Sequence, residues 1–218
     1  MSTTSTAWLE IIERLPADSV LTLRNISWKE YEELLEEIGE SAGLRISYGD
    51  GILRIMTLST EHETYVRFLE GLMTLIRVRL SLTIRSVGSA TMKKPKKKGL
   101  EPDASFYVQT AHAVGHKLHI DFSSDPPPDI AVEIDVHHDS RDRLPIYAAL
   151  GMPELWRFDG KELIIYHLAD NRYIPRESSI ALPFLSGAII TGFLSRIPEE
   201  GESEILVAFD EWLQSLQR

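Results

Sequence analysis

The stretch 129–136, DIAVEIDV, places three carboxylates on one side of a predicted β-strand. By the two-residue period of a strand, Asp129, Glu133 and Asp135 share one face and the aliphatic side chains share the other. Glu133 and Asp135 would lie about 6.6 Å apart. At an effective dielectric of about 20 their charges repel by roughly 2.5 kcal/mol. Such a pair requires solvent, a basic partner, a raised pKa or a divalent cation to offset the repulsion.

A second acidic cluster, GLEPDASFYV, lies about 30 residues earlier and places Asp103 at the start of another predicted strand. If the strands that begin at Asp103 and Asp129 pair, Asp103 and Glu133 converge on one cation. Carboxylate oxygens without thiolates suit Mg²⁺ or Mn²⁺ rather than zinc. The two clusters therefore predict a magnesium or manganese site.

A lysine-rich run, KKPKKKG at 93–99, directly precedes the second cluster. The net charge of the chain is −10, which argues against a general nucleic-acid binder. A local patch beside a metal would instead hold a phosphate, and a solvated loop is the alternative. We predict that nucleic acid contacts the lysines of this run: Lys93, Lys94, Lys96, Lys97 and Lys98.

These motifs resemble the PD-(D/E)XK nuclease superfamily, in which a PD at the start of one strand precedes an acid-x-lysine on the next. A closer resemblance is to the Uma-type family of restriction endonucleases. Its recurring string is matched by GSATMKKPKKKGLEPDASFYV, then PPPDIAVEIDV, then RLPIYAALGMPELW. The resemblance implies an α/β (α+β) fold with a restriction-endonuclease-like mixed β-sheet flanked by helices.

The resemblance also implies roles for individual residues. Asp103 and Glu133 would be metal-binding carboxylates, with the Ile134 carbonyl as a third ligand. Glu63, at the start of the preceding helix, would be an outer ligand of the metal or its water; its alternative role is to cap that helix with Thr60. The metal would lower the pKa of a bound water and stabilise the transition state.

The sequence departs from the family pattern at two positions. Asp135 stands where the superfamily has its lysine, and Arg143 stands where the Uma-type family has a lysine in the following helix. We count both among the candidate catalytic residues. Arginine can grip a phosphate bidentately but cannot give up a proton at ordinary pH. Arg143 is therefore expected to stabilise charge and not to act as a general base.

The elements that position these residues are readable from local signals. Ser27 and Glu30 have capping-box spacing, as do Thr60 and Glu63, which predicts helices from about Ser27 and from Thr60 to about Leu80. Asp-Gly pairs at 50–51 and 159–160 predict two hairpins. A short helix follows the acidic strand and ends near Gly151. Two helices are predicted at the carboxyl end, from about 183 to 196 and from 202 to 217.

Composition limits the class of protein. Hydrophobic residues make up 43% and charged residues 26% of 218 residues, without cysteine, which is ordinary for a globular domain. The sequence shows no signal peptide or membrane span, and we expect a cytoplasmic protein. We expect an N-terminal extension with a strand and helix at 1–44, the nuclease domain at 45–200, and a helix at 201–218 packing on the core or a dimer partner.

We therefore predict a Mg²⁺- or Mn²⁺-dependent endonuclease that hydrolyses phosphodiester bonds, with DNA as the expected substrate and a homodimer as the expected assembly. One alternative is a weakened or inactive nuclease fold that binds nucleic acid or protein. Another is an acidic strand balanced by Arg141, Arg143 and lysines, without a metal. The pairing and surroundings of Asp103 and Glu133 distinguish these hypotheses.

Overall fold

The computed structural model describes residues 3–39, 43–94 and 98–217, with side chains from residue 8 onward. Its helices are α1 (Thr3–Ile12), α2 (Trp28–Ile38), α3 (Thr60–Arg79), α4 (Ala111–Val114), α5 (Leu144–Leu150), α6 (Gly187–Leu194), α7 (Ile197–Glu200) and α8 (Glu202–Ser215). Its strands are β1 (Val20–Arg24), β2 (Leu44–Gly49), β3 (Ile52–Thr57), β4 (Arg85–Ser86), β5 (Met92–Lys94), β6 (Lys98–Leu100), β7 (Ala104–Tyr107), β8 (Ile130–Ile134), β9 (Glu154–Phe158), β10 (Leu163–Ala169) and β11 (Arg172–Arg176).

The strands divide into two sheets. The N-terminal sheet has the order β1-β3-β2-β6-β5, and the central sheet has the order β11-β10-β9-β8-β7-β4. In the central sheet β8 and β9 are parallel, because the chain between them crosses over through α5. The predicted α/β class with helices flanking mixed sheet is confirmed, and the strands form two sheets.

The N-terminal sheet has one apolar and one polar face. Leu23, Leu53 and Tyr48 lie opposite one another in β1, β3 and β2 and pack with Tyr31 and Leu34 of α2. The alternate residues face the other way. This polar face carries Thr22, Arg24, Arg45, Ser47 and Arg54 beside Val20 and Met56, with Thr22 and Ser47 both opposite Arg54.

The central sheet buries both faces of β8. Ile130, Val132 and Ile134 enter the main core with side chains of α3, α6 and α8, so the predicted aliphatic face packs as expected. On the other face Ala131 packs with Tyr147 of α5. The carboxylates of Glu133 and the following Asp135 are therefore covered by other elements and not solvated.

The local signals place most element boundaries correctly. Ser27 and Glu30 form the predicted capping box, both Asp-Gly pairs lie in hairpin turns, and Gly151 ends α5 with a φ of 79°. The box at Thr60 is wrong by one residue, since the side chain of Ser59 caps α3. The helix predicted from residue 183 begins at Gly187.

Within the part of the chain that the structure describes, no helix combines the length and apolarity needed to cross a bilayer. The domain limits 1–44, 45–200 and 201–218 stay a prediction. β1, from the expected N-terminal extension, is hydrogen-bonded along its length to β3.

Candidate active site

Asp103 lies at the start of β7, beside the carboxyl end of β8. The two strands pair antiparallel with Ala104 opposite Val132, so the pairing on which the convergence of Asp103 and Glu133 depends is present. The Asp103 side chain is buried and accepts hydrogen bonds from the Ile134 amide, at 2.8 Å, and from Arg45 Nε, at 3.1 Å. His62 Nε2 of α3 lies 3.0 Å from Asp103 Oδ2. Three elements other than β7 thus hold this carboxylate.

The surroundings of Asp103 favour its ionised form. Burial alone would raise its pKa, but the hydrogen bond from His62 and the charges of His62, Arg45 and Arg143 together lower it. The buried ring nitrogens of His62 make no other well-directed hydrogen bond within the described residues. Asp103 is therefore an anion that contacts the Arg45 guanidinium and the His62 imidazole.

Glu133 lies on β8 with its side chain completely buried. Arg143 Nη2 donates to Glu133 Oε2 at 2.5 Å, and the Tyr147 hydroxyl donates to Oε1. Burial raises the pKa of Glu133 to about 8, which the Arg143 charge opposes and the charges of Asp103 and Asp135 reinforce. The repulsion expected between the acids of this strand is thus offset by a basic partner and a raised pKa.

Asp135 makes contacts that fix the loop after β8. It accepts from the Ser140 amide at 2.8 Å, from the Ser140 hydroxyl at 2.7 Å, and from Arg157 Nε of β9. Burial raises its pKa, which the Ser140 hydrogen bonds oppose. Because Ser140 immediately precedes the 3₁₀ turn that carries Arg143, Asp135 positions Arg143 through this loop.

Glu63 and Glu101 extend the acidic group toward β2. Glu63 Oε1 is buried without a hydrogen-bond partner, 3.5 Å from Arg45 Nη2. It does not complete a capping box, because Ser59 is the N-cap. Glu101 accepts from the Ile46 amide at 3.0 Å and from the Thr91 hydroxyl at 2.7 Å. Burial raises the pKa of Glu101. Its hydrogen bond from the Ile46 amide ties β2 to the residues just before β7.

Three lysines of the run lie on two paired strands of the N-terminal sheet, Lys93 and Lys94 on β5 and Lys98 on β6. Lys98 Nζ is 3.1 Å from Asp50, Lys94 Nζ is 3.4 Å from the Ala149 carbonyl, and Lys93 is 3.9 Å from Glu32. Lys96 and Lys97 lie outside the described residues. Contact between these lysines and nucleic acid stays a prediction.

Asp129 and the adjacent histidines lie apart from Glu133. Asp129 accepts from the amides of Val108 and Thr110 at 2.7 and 2.9 Å, so it fastens the end of β7 to β8. His138 contacts the Asp18 carbonyl, and His137 lies 3.1 Å from Glu61. Asp129 therefore has a structural role at the start of β8, and the two histidines make contacts of the loop that follows it.

A cavity of about 400 Å³ opens beside Arg45 and Arg143. It lies between the polar face of the N-terminal sheet and the 138–143 segment. Arg45 and Arg143 line it and also contact Asp103 and Glu133, respectively. A ligand in the cavity therefore meets these two guanidinium groups, while the carboxylates of Asp103 and Glu133 are buried behind them.

The donor set fits a hard divalent cation in chemical type. Asp103 and Glu133 supply oxygen, as Mg²⁺ and Mn²⁺ prefer, and the orphaned Glu63 Oε1 adds a further buried acceptor. Among the described residues no three His, Asp or Glu side chains are grouped to hold a metal by themselves. A cation would therefore need water or the Ile134 carbonyl as well, and Arg143 would have to release Glu133.

Sequence reasoning missed the partners of the acids. Arg45 carries no local signal, because its importance depends on β2 lying beside the Asp103 turn. The Tyr147 hydroxyl of α5 holds Glu133. His62 is buried and lies against Asp103.

Comparison of the sequence with models of protein families identifies the family of the chain. A family model described as "Uma2: Putative restriction endonuclease" matches residues 28–193. The chain belongs to the Uma2 family. Membership of the Uma2 family supports a nuclease activity, that is, hydrolysis of the phosphodiester bonds of nucleic acid.

A solved structure supports the fold of this Uma2 chain. It is described as "a putative nuclease belonging to DUF820" from Anabaena variabilis, and it is 13% identical with a TM-score of 0.51. The match covers 78% of this chain and 99% of that one. The comparison with curated proteins finds no match.

Proposed function

We propose that this Uma2 chain is an endonuclease that requires Mg²⁺ or Mn²⁺ and hydrolyses phosphodiester bonds in DNA. The observation that carries the proposal is the double contact of Arg45 and Arg143, which touch Asp103 and Glu133 and line the cavity. Cationic groups there would receive a phosphate next to two carboxylates. Family membership supplies the reaction class.

Asp103 and Glu133 would hold the cation, with Ile134 offering its carbonyl. When bound, the cation would supply an activated water and a Lewis acid for the phosphoryl oxygens. Tyr147 keeps the Glu133 carboxylate oriented through its hydroxyl. The orphaned Glu63 Oε1 would accept a hydrogen bond from water in the site.

Arg143 would leave Glu133 for a phosphate oxygen as the substrate enters. It stays protonated, because the neighbouring acids raise its pKa against the effect of burial. It would bind charge that develops on the phosphate and would not act as the base. Asp135 would keep the loop in the position that lets Arg143 reach both partners.

The competing function is a nuclease fold that binds nucleic acid or protein without cutting. One observation favours it: each oxygen of Asp103 and Glu133 already has a protein partner. Three buried arginines, Arg45, Arg143 and Arg157, face these carboxylates and Asp135. The charges are thus balanced by the chain itself.

The decisive experiment is incubation of supercoiled plasmid with Mg²⁺ or Mn²⁺ and the wild-type protein. Asp103→Asn and Glu133→Gln keep the side-chain shapes and should each lower the cutting rate at least about 100-fold, because each removes a metal-binding charge. Glu211→Ala, at an exposed position of α8, is the matched control and should cut normally.

Thermal melts with Mn²⁺ separate the two functions. Cutting that survives both substitutions would remove the mechanism. Stabilisation by Mn²⁺ that depends on Glu133, without cutting of duplex or single strands, would favour the binding module. The homodimer stays a prediction, and sedimentation of the free protein tests it.

A further inference from the structure

The polar face of the N-terminal sheet extends the cavity away from the carboxylates. Thr22, Arg54 and Ser47 lie side by side across β1, β3 and β2. Arg24 lies two residues further along β1, on the same face, and is exposed. All four side chains line the cavity. The arginines of this face therefore form a row that leads to Arg45.

Among the described residues, the cavity lining carries four arginines against two aspartates, although the chain carries −10 overall. Asp142 lies 2.5 Å from Arg54, and Asp139 contacts Arg141 and Arg157, so both acids of the lining are already paired. Arg24 has no hydrogen-bond or ion-pair partner among the described residues. Its guanidinium is free to take an anion.

The residue types of the cavity lining favour a phosphate over a nucleic-acid base as the bound group. Hydroxyls from Thr22 and Ser47 stand between the guanidinium groups, as phosphate contacts require. Apart from the His138 imidazole, none of the described residues that line the cavity carries a ring. Single-strand binders that stack bases use aromatic side chains, so this wall is suited to the sugar-phosphate backbone.

We propose that this polar face binds the phosphodiester backbone of DNA beside the bond that is cut, with Arg24 and Arg54 as its phosphate contacts. The inference rests on the proposed function, since it extends the same cavity. Arg24 lies outside the family match, because β1 ends at residue 24 and the match begins at residue 28, whereas Arg54 lies inside it. β1 adds backbone contacts without reading sequence.

The test is fluorescence anisotropy of a labelled 25-base-pair duplex, and of one of its strands alone, in EDTA over a series of KCl concentrations. One lost phosphate contact lowers the slope of log K against log salt by about 0.9 on duplex and about 0.7 on a single strand. Arg24→Ala should therefore bind duplex roughly five- to tenfold more weakly at 0.1 M salt. Arg24→Ala combined with Arg54→Ala should lose about twice that slope.

Arg176→Ala is the matched control. Arg176 is an exposed arginine at the end of β11, the edge strand of the other sheet, as Arg24 is at the end of β1. The control should keep the wild-type slope. Arg24→Gln is a second variant that removes the charge at this position. Melting curves verify that each protein is folded.

The outcomes separate this inference from the proposed function. Variants of Arg24 and Arg54 that bind with the control's slope overturn the inference, even if the wild type cuts plasmid. A reduced slope in these variants supports it, even if no cutting is found. A wild-type protein that binds neither duplex nor single strand overturns it as well.

Discussion

Replacing Arg45 by methionine tests whether the candidate site is held together by its internal charges. Methionine keeps most of the side-chain length and apolar volume, so the change mainly removes the guanidinium. Arg45 is 5% exposed and donates to Asp103, whose side chain is completely buried. The Asp103 charge would then keep His62 and the Ile134 amide as partners.

Breaking a buried ion pair from one side costs about 3–5 kcal/mol, because the remaining charge stays desolvated. We expect Arg45→Met to lower the free energy of unfolding by this amount in urea denaturation at pH 7. In thermal melts the same loss corresponds to about 6–20 °C for a chain of this size. In the Arg45→Met protein, Asp103→Asn should lower the free energy of unfolding by less than it does in the wild type, with a coupling energy of about 2 kcal/mol.

Arg67→Met is the control for this prediction. Arg67 also contacts two carboxylates, Glu63 at 3.1 Å and Glu70 at 2.7 Å, but its side chain is 64% exposed. Its loss should cost less than about 1 kcal/mol. Equal costs for Arg45 and Arg67, or strict additivity of Arg45→Met with Asp103→Asn, would refute the buried ion pair.

Two further predictions concern the core around the site. Burial raises the pKa of Glu133 from 4.5 to about 8. Between these pH values the folded state keeps a proton on Glu133 that the unfolded state has lost. The free energy of unfolding therefore falls as pH rises, by up to about 1.4 kcal/mol per pH unit. Glu133→Gln should remove that part of the slope in urea denaturation from pH 5 to 8; parallel slopes would contradict it. Gly187→Ala should cost about 1–3 kcal/mol, because a Cβ there overlaps the Leu163 carbonyl. Gly192→Ala in the same helix meets nothing within 4 Å and should be neutral or stabilising in the same assay.

Local chemistry made several elements predictable from the sequence. The Ser27 capping box, the Asp-Gly turns and the Gly151 helix end depend on residues within a few positions of one another. The alternation of DIAVEIDV predicted which side chains of β8 enter the main core, because a strand has only two faces. The pairing of the strands at Asp103 and Glu133 was a condition of the predicted metal site, and the structure meets it.

The ion pairs of the site were not predictable in the same way. Arg143 was identified ten residues from Glu133 because of the resemblance. Arg45, 58 residues from Asp103, gives no signal in sequence. The division of the strands into two sheets was also missed, since β4 and β5 lie close in sequence but join different sheets. Both features depend on which strands become neighbours.

The sequence distances inside the charged cluster have a consequence for folding. Arg45 on β2 meets Asp103 beside β7 across 58 residues, and Asp103 meets the Ile134 amide across 31. Closing such loops costs entropy before the contacts can repay it. The Arg45–Asp103 pair therefore forms only when the two sheets dock, whereas the Arg143–Glu133 and Arg157–Asp135 pairs lie within the central sheet and the loop after β8. A chain with separately formed sheets would leave Arg45 without Asp103, so this contact and the docked fold should appear in the same kinetic step.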